Sequence, residues 1–230
     1  MAGFSSKASK KLKANGVYKN LQQALAFHRA GNLHEAEMLY VHYIKRVPDD
    51  YSALVNLGVL YKVSGRFAEA SKCYKRAINI QPNSQIAYSN YANLLQLEGK
   101  LEDALAHAEK AATLDNSSPE AILNLGIILK DLNKYEQAFE AIKQSINLKS
   151  DFAEAYCQMG LLLIQCSRYS EAKEYLSHAL KLKPKDSLIL KGLGNALLSI
   201  GDHHEALFCL RQADGSLQFN LNKGIHFTNQ

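Results

Sequence analysis

The sequence predicts an all-α solenoid built from six helical hairpins. Alanine recurs every 34 residues, at Ala36, Ala70, Ala104, Ala138, Ala172 and Ala206. Twelve residues before each of these alanines stands a second small residue: Ala24, Gly58, Ala92, Gly126, Gly160 and Gly194. Small side chains at two fixed positions let the backbones of two paired helices approach closely. A constant period of this length is typical of stacked helical repeats, so it decides the fold class.

The same register divides the chain into repeats. They span residues 17–50, 51–84, 85–118, 119–152, 153–186 and 187–220, preceded by a basic segment, 1–16, and followed by a tail, 221–230. The turn inside each repeat carries Gly31, Gly65, Gly99, Asn133, Ser167 or Gly201. Glycine and asparagine tolerate the left-handed conformation that ends many helices. Serine is the exception, so a slightly different turn is expected at Ser167.

Both helices of a repeat have recognisable ends. Asp50, Ser84, Ser118 and Asp186 stand where they would cap the first helix of a repeat. Acidic residues lie in the first turn of most second helices, where the helix dipole favours them: Glu35, Glu69, Asp103, Glu171 and Glu205. Pro48, Pro82 and Pro184 follow second helices and stop them.

The repeat resembles the tetratricopeptide repeat (TPR). Repeat 2 carries its signature residues almost position by position: Leu54, Leu57, Gly58, Tyr61, Ala70, Tyr74, Ala77 and Pro82. Repeat 5 carries them as Tyr156, Met159, Gly160, Leu163, Ala172, Leu176, Ala179 and Pro184. The resemblance implies a right-handed superhelical solenoid of six helix-turn-helix units. It also implies a concave face built mainly from the first helices.

The resemblance further assigns the groove to positions 2, 5, 6, 9, 12 and 13 of each repeat. Position 6 is a primary amide in five consecutive repeats: Gln22, Asn56, Asn90, Asn124 and Gln158, before Gly192 interrupts the series. An amide both donates and accepts hydrogen bonds, so this ladder could pair with the backbone of an extended peptide. Alternatively, the amides bond to neighbouring helices or to water. The N-L-G triplets at 56–58 and 124–126 make the ladder similar to that of O-GlcNAc transferases.

Other groove positions carry charged and polar candidates. The peptide-binding residues predicted besides the ladder are Arg29, Lys62, Asn93, Lys130, Lys191 and Asn195. Glu120, Asp131 and Glu154 oppose these cations, so the groove is not the one-signed channel that nucleic acid requires. Leu25, Val59, Ile127, Leu161 and Leu198 add apolar patches. Lys191 and Asn195 match the opening pair of the TPR carboxylate clamp, but they fall in the last repeat, which argues against chaperone-tail binding.

Composition argues against a membrane-spanning or secreted protein. No run of 18 apolar residues is present, so no transmembrane helix is expected, and the N-terminus lacks the apolar stretch of a secretory signal. The four cysteines have no C-x-x-C spacing and are interpreted as reduced, which places the chain in a reducing cytoplasm. The net charge of +5 comes from the first 34 residues, which hold six basic side chains and no acidic one. This basic head is either a solvated terminus or an arm for nucleic acid or anionic lipid.

Catalytic motifs are missing from the sequence. It has no G-x-S-x-G, H-E-x-x-H or phosphate-binding glycine loop. His203 and His204 are adjacent, so on a helix they diverge by about 100° and are interpreted as a polar helix start rather than metal ligands. We therefore expect no enzyme activity, no metal and no cofactor.

The C-terminal end leaves open questions. Leu207, Phe208 and Leu210 of the last helix have no following repeat to cover them, and Leu217, Phe219 and Leu221 alternate as in a short strand. The tail could fold back as a cap, the edge could bind a partner or a second copy, or the chain could be the arm of a longer enzyme.

The function predicted is a non-enzymatic adaptor that binds an extended polypeptide in its groove. The alternative is an arm that recruits substrates for a glycosyltransferase-type catalytic domain on another chain or absent here.

Overall fold

A computed structural model describes residues 19–214, 217–220 and 224–227 of the chain. The predicted basic segment, 1–16, lies outside the described residues, as do 221–223 and 228–230 of the tail. Helix α1 covers 19–29. The remaining helices are α2 Leu33–Arg46, α3 Tyr51–Val63, α4 Phe67–Ile80, α5 Gln85–Leu97, α6 Leu101–Leu114, α7 Pro119–Asp131, α8 Tyr135–Leu148, α9 Ala153–Gln165, α10 Tyr169–Leu182, α11 Ser187–Ser199 and α12 His203–Asp214. Each predicted repeat therefore supplies two successive helices of an all-α helical repeat of the solenoid type.

Two compact halves divide the chain, residues 1–114 and residues 115–230. The N-terminal half holds α1–α6, and the C-terminal half holds α7–α12. Within each half, the two helices of a repeat pack against each other. First helices of successive repeats also meet, α3 with α5 in one half, and α7 with α9 and α9 with α11 in the other. The right-handed twist of the whole array stays a prediction.

The small residues make the close helix contact that their period predicts. A Cβ atom placed on Gly58 would lie 2.6 Å from Cε1 of Tyr74, and one on Gly126 would lie 2.7 Å from Cγ1 of Ile142. Gly160 faces Leu176 in the same way, at 2.4 Å from its Cγ. The six alanines that mark the period are all fully buried: Ala36, Ala70, Ala104, Ala138, Ala172 and Ala206. The glycines at the eighth position of these repeats thus leave room for a large side chain of the second helix. In repeat 2 that side chain is Tyr74.

All six turns inside the repeats adopt the left-handed conformation. The φ angles are 79° at Gly31, 73° at Gly65, 74° at Gly99, 58° at Asn133, 58° at Ser167 and 86° at Gly201. In repeat 2 the N–H of Gly65 donates to the Lys62 carbonyl and that of Arg66 to the Tyr61 carbonyl, which is a Schellman motif. Ser167 and Arg168 make the equivalent bonds to Ile164 and Leu163. The expectation of a different turn at Ser167 is wrong, because the backbone hydrogen bonds impose the same geometry despite the side chain.

Each predicted cap of a first helix is confirmed. The side chains of Asp50, Ser84 and Ser118 accept a hydrogen bond from the backbone N–H three residues later. Asp186 accepts from the N–H groups of both Leu188 and Ile189. These caps fix where the first helices begin, and so fix the position of the residues that follow on them.

A β-hairpin ends the described chain. Strand β1, Leu217–Asn220, pairs antiparallel with β2, Gly224–Phe227, with Leu217 opposite Phe227. The alternation that predicts a strand is therefore found at 217–220, although Leu221 lies outside the described residues. The described part of the last helix runs to Asp214, and residues 217–220 at the end of the sixth predicted repeat form β1 instead of helix, so the hairpin adds a small β element to the all-α fold.

The cysteines are all unpaired. Cys73, Cys157 and Cys209 are buried and Cys166 is partly exposed. Burial raises the pKa of the Cys73 and Cys157 thiols to about 11. Within the part of the chain that the structure describes, no helix has the length and apolar character needed to cross a bilayer.

Candidate functional site

Each first helix has one face that solvent reaches, which we term its accessible stripe. On α3 the stripe consists of Ser52, Asn56, Val59 and Lys62, spaced three or four residues apart along the helix, and of Val63 next to Lys62. On α5 it consists of Ile86, Ser89, Asn90, Asn93, Gln96 and Leu97. The opposite faces carry buried residues such as Leu57 and Ala92. The spacing of 3.6 residues per turn thus separates a packed side from a side free to bind.

All the predicted groove residues lie on first helices, and all of them except the buried Asn124 are at least partly exposed to solvent. In the N-terminal half, Gln22 and Arg29 are exposed on α1, Asn56 and Lys62 are half-buried on α3, and Asn90 and Asn93 are half-buried on α5. In the C-terminal half, Asn124 and Lys130 lie on α7, Gln158 on α9, and Lys191 and Asn195 on α11. Each half therefore presents its own set of amides and cations.

The amides of position 6 differ in their hydrogen bonding. Asn90 donates from Nδ2 to the Ile86 carbonyl of its own helix at 3.0 Å. Gln158 accepts at Oε1 from the ammonium of Lys130 at 2.9 Å, which brings two predicted site residues together. Asn124 is only 6% exposed. Gln158 thus bonds to a neighbouring helix, as the alternative interpretation expects, whereas Asn90 bonds to its own helix, because its side chain is one methylene shorter.

Ion pairs hold two acidic residues of the predicted groove in the C-terminal half, Glu120 and Glu154. Glu120 pairs with Lys149 at 3.3 Å, and Glu154 pairs with Lys183. Both lysines come from just beyond a second helix, 29 residues after their partner. The sequence analysis expected Glu120 and Glu154 to balance the charge of the groove cations, and it did not identify Lys149 and Lys183 as their partners. The repeated 29-residue spacing between opposite charges was the signal that could have found them.

Lys130 and Lys62 occupy the same position in repeats 4 and 2. Burial lowers the pKa of both ammonium groups. The Asp131 carboxylate, 4.0 Å from Lys130, partly opposes that effect and stabilises the charged form. Among the described residues Lys62 has no ion-pair or hydrogen-bond partner, and the stripes of α3 and α5 carry no acidic side chain.

Apolar side chains stand at the two ends of the stripes. In the N-terminal half, Val63 is 65% exposed, Ile86 54% and Leu97 61%. In the C-terminal half, Leu188 and Leu198 are also exposed. The sequence analysis assigned positions 2 and 13 to the groove and named Leu198, but its other apolar candidates were Val59 and its equivalents at position 9, which are less exposed, and it did not name the apolar residues at positions 2 and 13. These positions lie in the first and last turns, where neighbouring side chains cover less of the surface.

Metal chemistry has no obvious place among the described residues. They contain no group of three or more His, Cys, Asp or Glu side chains that could hold a metal ion. His203 and His204 are the first two residues of α12, as the sequence predicts for a polar helix start.

Comparisons with known proteins identify the repeat. Models described as tetratricopeptide repeat match residues 51–84, 73–106, 119–152 and 153–186, which together make up more than half of the chain. No curated protein matches the chain in sequence.

Solved structures share the fold. PilW, described as a widely conserved type IV pilus biogenesis factor, is 18% identical with a TM-score of 0.79 over 87% of this chain and 93% of its own. PilF of Pseudomonas aeruginosa is 19% identical with a TM-score of 0.73, covering 85% of this chain and 89% of its own. YrrB, described as a TPR protein with an unusual peptide-binding site, is 19% identical with a TM-score of 0.56, covering 76% of this chain and 91% of its own. At these identities the likeness concerns the fold.

Proposed function

Because the chain belongs to the tetratricopeptide-repeat family, we propose that it is a non-enzymatic adaptor that binds an extended polypeptide segment along the accessible stripes of its first helices. One observation carries the proposal: five consecutive repeats place a carboxamide at the same position of the first helix. Amides there serve any peptide sequence, because they pair with the backbone and not with side chains. The peptide-binding site in the description of YrrB supports a peptide as the partner class.

The hydrogen bonds observed are compatible with such binding. Asn90 uses one amide N–H for its own helix, which leaves its Oδ1 atom to accept from a peptide N–H. Gln158 accepts from Lys130, which leaves its two N–H groups to donate to a peptide carbonyl. Apolar side chains at positions 2 and 13 add contact area on either side of the amides. Backbone pairing supplies general affinity, and the charged and apolar neighbours supply selectivity.

The test is a selection of random dodecapeptides on the immobilised chain. Affinities of the selected peptides are then measured by fluorescence anisotropy. The double variant Asn56→Ala/Asn90→Ala is expected to weaken binding at least tenfold, since each lost hydrogen bond contributes about 1 kcal/mol. The matched control, Asn79→Ala/Asn147→Ala, removes exposed asparagines of second helices and should bind like the wild type. Equal affinity of the two double variants would contradict binding by the first helices.

Other roles rest on narrower observations. The recruiting arm of a glycosyltransferase-type enzyme rests on the N-L-G triplets alone. Self-association through the last repeat rests on Phe208, which is 58% exposed on α12. Light scattering tests self-association directly, because a chain that remains a monomer at high concentration does not self-associate. Four unpaired cysteines support a reducing compartment, most simply a cytoplasm.

A further inference from the structure

The charges of the two halves are satisfied to different degrees. In the C-terminal half, lysines at the ends of second helices neutralise Glu120 and Glu154, and Lys130 has both an amide and a carboxylate nearby. In the N-terminal half, the stripes of α3 and α5 hold Lys62 and no acidic side chain. A cation without a counter-ion therefore stands on an otherwise amide-rich and apolar surface.

Lys62 and Lys130 form a natural matched pair. Lys130 donates to Gln158 and lies near Asp131. Where repeat 5 has Gln158, repeat 3 has Asn90, whose shorter amide bonds to its own helix. Where repeat 4 has Asp131, repeat 2 has Val63. Both partners that satisfy the lysine of the C-terminal half are thus replaced in the N-terminal half.

We infer that the stripes of α3 and α5 recognise a peptide segment in which a carboxylate side chain lies beside apolar residues, with the carboxylate paired to Lys62. This inference rests on the proposed function and names the class of peptide. A half-buried ammonium gains a charge-assisted hydrogen bond from such a ligand, and such bonds are stronger than neutral ones. Val63, Ile86 and Leu97 offer exposed apolar surface for the neighbouring residues of the ligand. The absence of acidic groups from both stripes means that nothing on them repels the carboxylate.

The experiment uses the full chain in three forms: wild type, Lys62→Met and the control Lys110→Met, which removes an exposed lysine of the second helix α6 in the same half. Methionine keeps an unbranched apolar side chain of similar length and removes the charge. Each form selects peptides from the same random dodecapeptide library. We expect the wild type and Lys110→Met to enrich Asp or Glu beside apolar residues, and Lys62→Met to enrich peptides without that acidic preference.

Single selected peptides provide the quantitative readout. In a wild-type binder, replacing its Glu or Asp by Gln or Asn should reduce affinity about tenfold or more, the value of one charge-assisted hydrogen bond. Against Lys62→Met the same replacement should change affinity less than threefold. Circular dichroism melting curves check that both lysine variants are folded, which is expected because the structure gives Lys62 no partner to lose and Lys110 is exposed.

The outcomes separate the two proposals. Enriched peptides without acidic residues, or an acidic preference that survives in Lys62→Met, would overturn the inference and leave the groove function standing. Failure of every form to enrich any peptide would overturn the proposed function and the inference with it. A wild-type dimer in light scattering that Lys62→Met converts to a monomer would assign the face to a second copy, and would also overturn the inference.

Discussion

Replacing Gly126 by alanine tests the close contact between the two helices of a repeat. The added Cβ would lie 2.7 Å from Cγ1 of Ile142, 3.3 Å from its backbone nitrogen and 3.4 Å from the Ala138 carbonyl oxygen. Ile142 is fully buried, so its side chain cannot swing into solvent. The neighbours must therefore shift to make room for a single methyl group.

The expected cost follows from two opposing effects. Overpacking a tight core typically costs about 1–3 kcal/mol. Alanine is a better helix former than glycine by about 1 kcal/mol, which offsets part of that cost. Because the 2.7 Å contact is far shorter than a normal Cβ contact, the overpacking cost is expected in the upper part of that range, about 2–3 kcal/mol, so Gly126→Ala should lower the free energy of unfolding by roughly 1–2 kcal/mol. Replacing a glycine by alanine at an uncrowded helix position would instead raise the free energy of unfolding.

A second substitution turns this into a sharper test. Ile142→Ala should cost about 2–5 kcal/mol, since it leaves a cavity. In that background the Cγ1 contact is gone, so Gly126→Ala should cost close to nothing. The double variant reproduces the pair found in repeat 3, where Ala92 and Ala108 are both fully buried at the equivalent positions. The two substitutions should thus show a favourable coupling of about 1–2 kcal/mol.

Urea denaturation followed by circular dichroism measures these differences. Repeat arrays need not unfold in one step. The free energies of the four proteins are therefore compared only if their free energies of unfolding depend on urea concentration with the same slope. An equal cost of Gly126→Ala in both backgrounds would refute the reasoning, because it would mean that Ile142 does not set the space available at Gly126.

Four further predictions concern backbone strain, a buried hydroxyl, thiol accessibility and thiol ionisation. Ser167→Gly should raise the free energy of unfolding by about 0.5–1 kcal/mol in the same urea assay, since serine is held at a φ of 58°; a decrease would contradict this. Tyr74→Phe should raise it by about 1 kcal/mol, because the buried hydroxyl has no hydrogen-bond partner among the described residues; a loss of stability would indicate that the hydroxyl is satisfied. Maleimide followed by mass spectrometry should label Cys166 before the buried Cys73 and Cys157. Burial raises the pKa of these two thiols from 9.0 to about 11, because the folded state disfavours the thiolate. Their contribution to the free energy of unfolding is therefore complete below pH 9 and decreases as the pH rises towards 11. A constant free energy of unfolding over that range would contradict the burial.

Local rules made most of the helical fold predictable. The period, the small residues and the caps each depend on neighbours within one repeat, and each prediction is confirmed. The turn at Ser167 was not predictable from propensity, because the Schellman hydrogen bonds override the residue's own preference. The hairpin after α12 was only partly visible, since alternation over four residues signals a strand without its partner.

The site was harder to predict than the fold. The resemblance to TPR proteins implies that Asn56, Asn90 and Gln158 face the groove, and the constant 34-residue period gives them the same position on successive first helices. Their hydrogen bonds could not be foreseen, because one methylene decides whether an amide reaches its own helix or a lysine of the preceding repeat. Lys149 and Lys183 were missed because they follow second helices, whereas the groove pattern considers the first helices alone.

Side-chain amide signals give the most direct test of peptide binding by the first helices. Nuclear magnetic resonance spectra of the chain would be recorded while a peptide from the random-library selection is added. The account predicts shifts in the side-chain NH2 signals of Asn56, Asn90 and Gln158, with those of Asn79 and Asn147 unchanged. Shifts confined to asparagines of the second helices would contradict it.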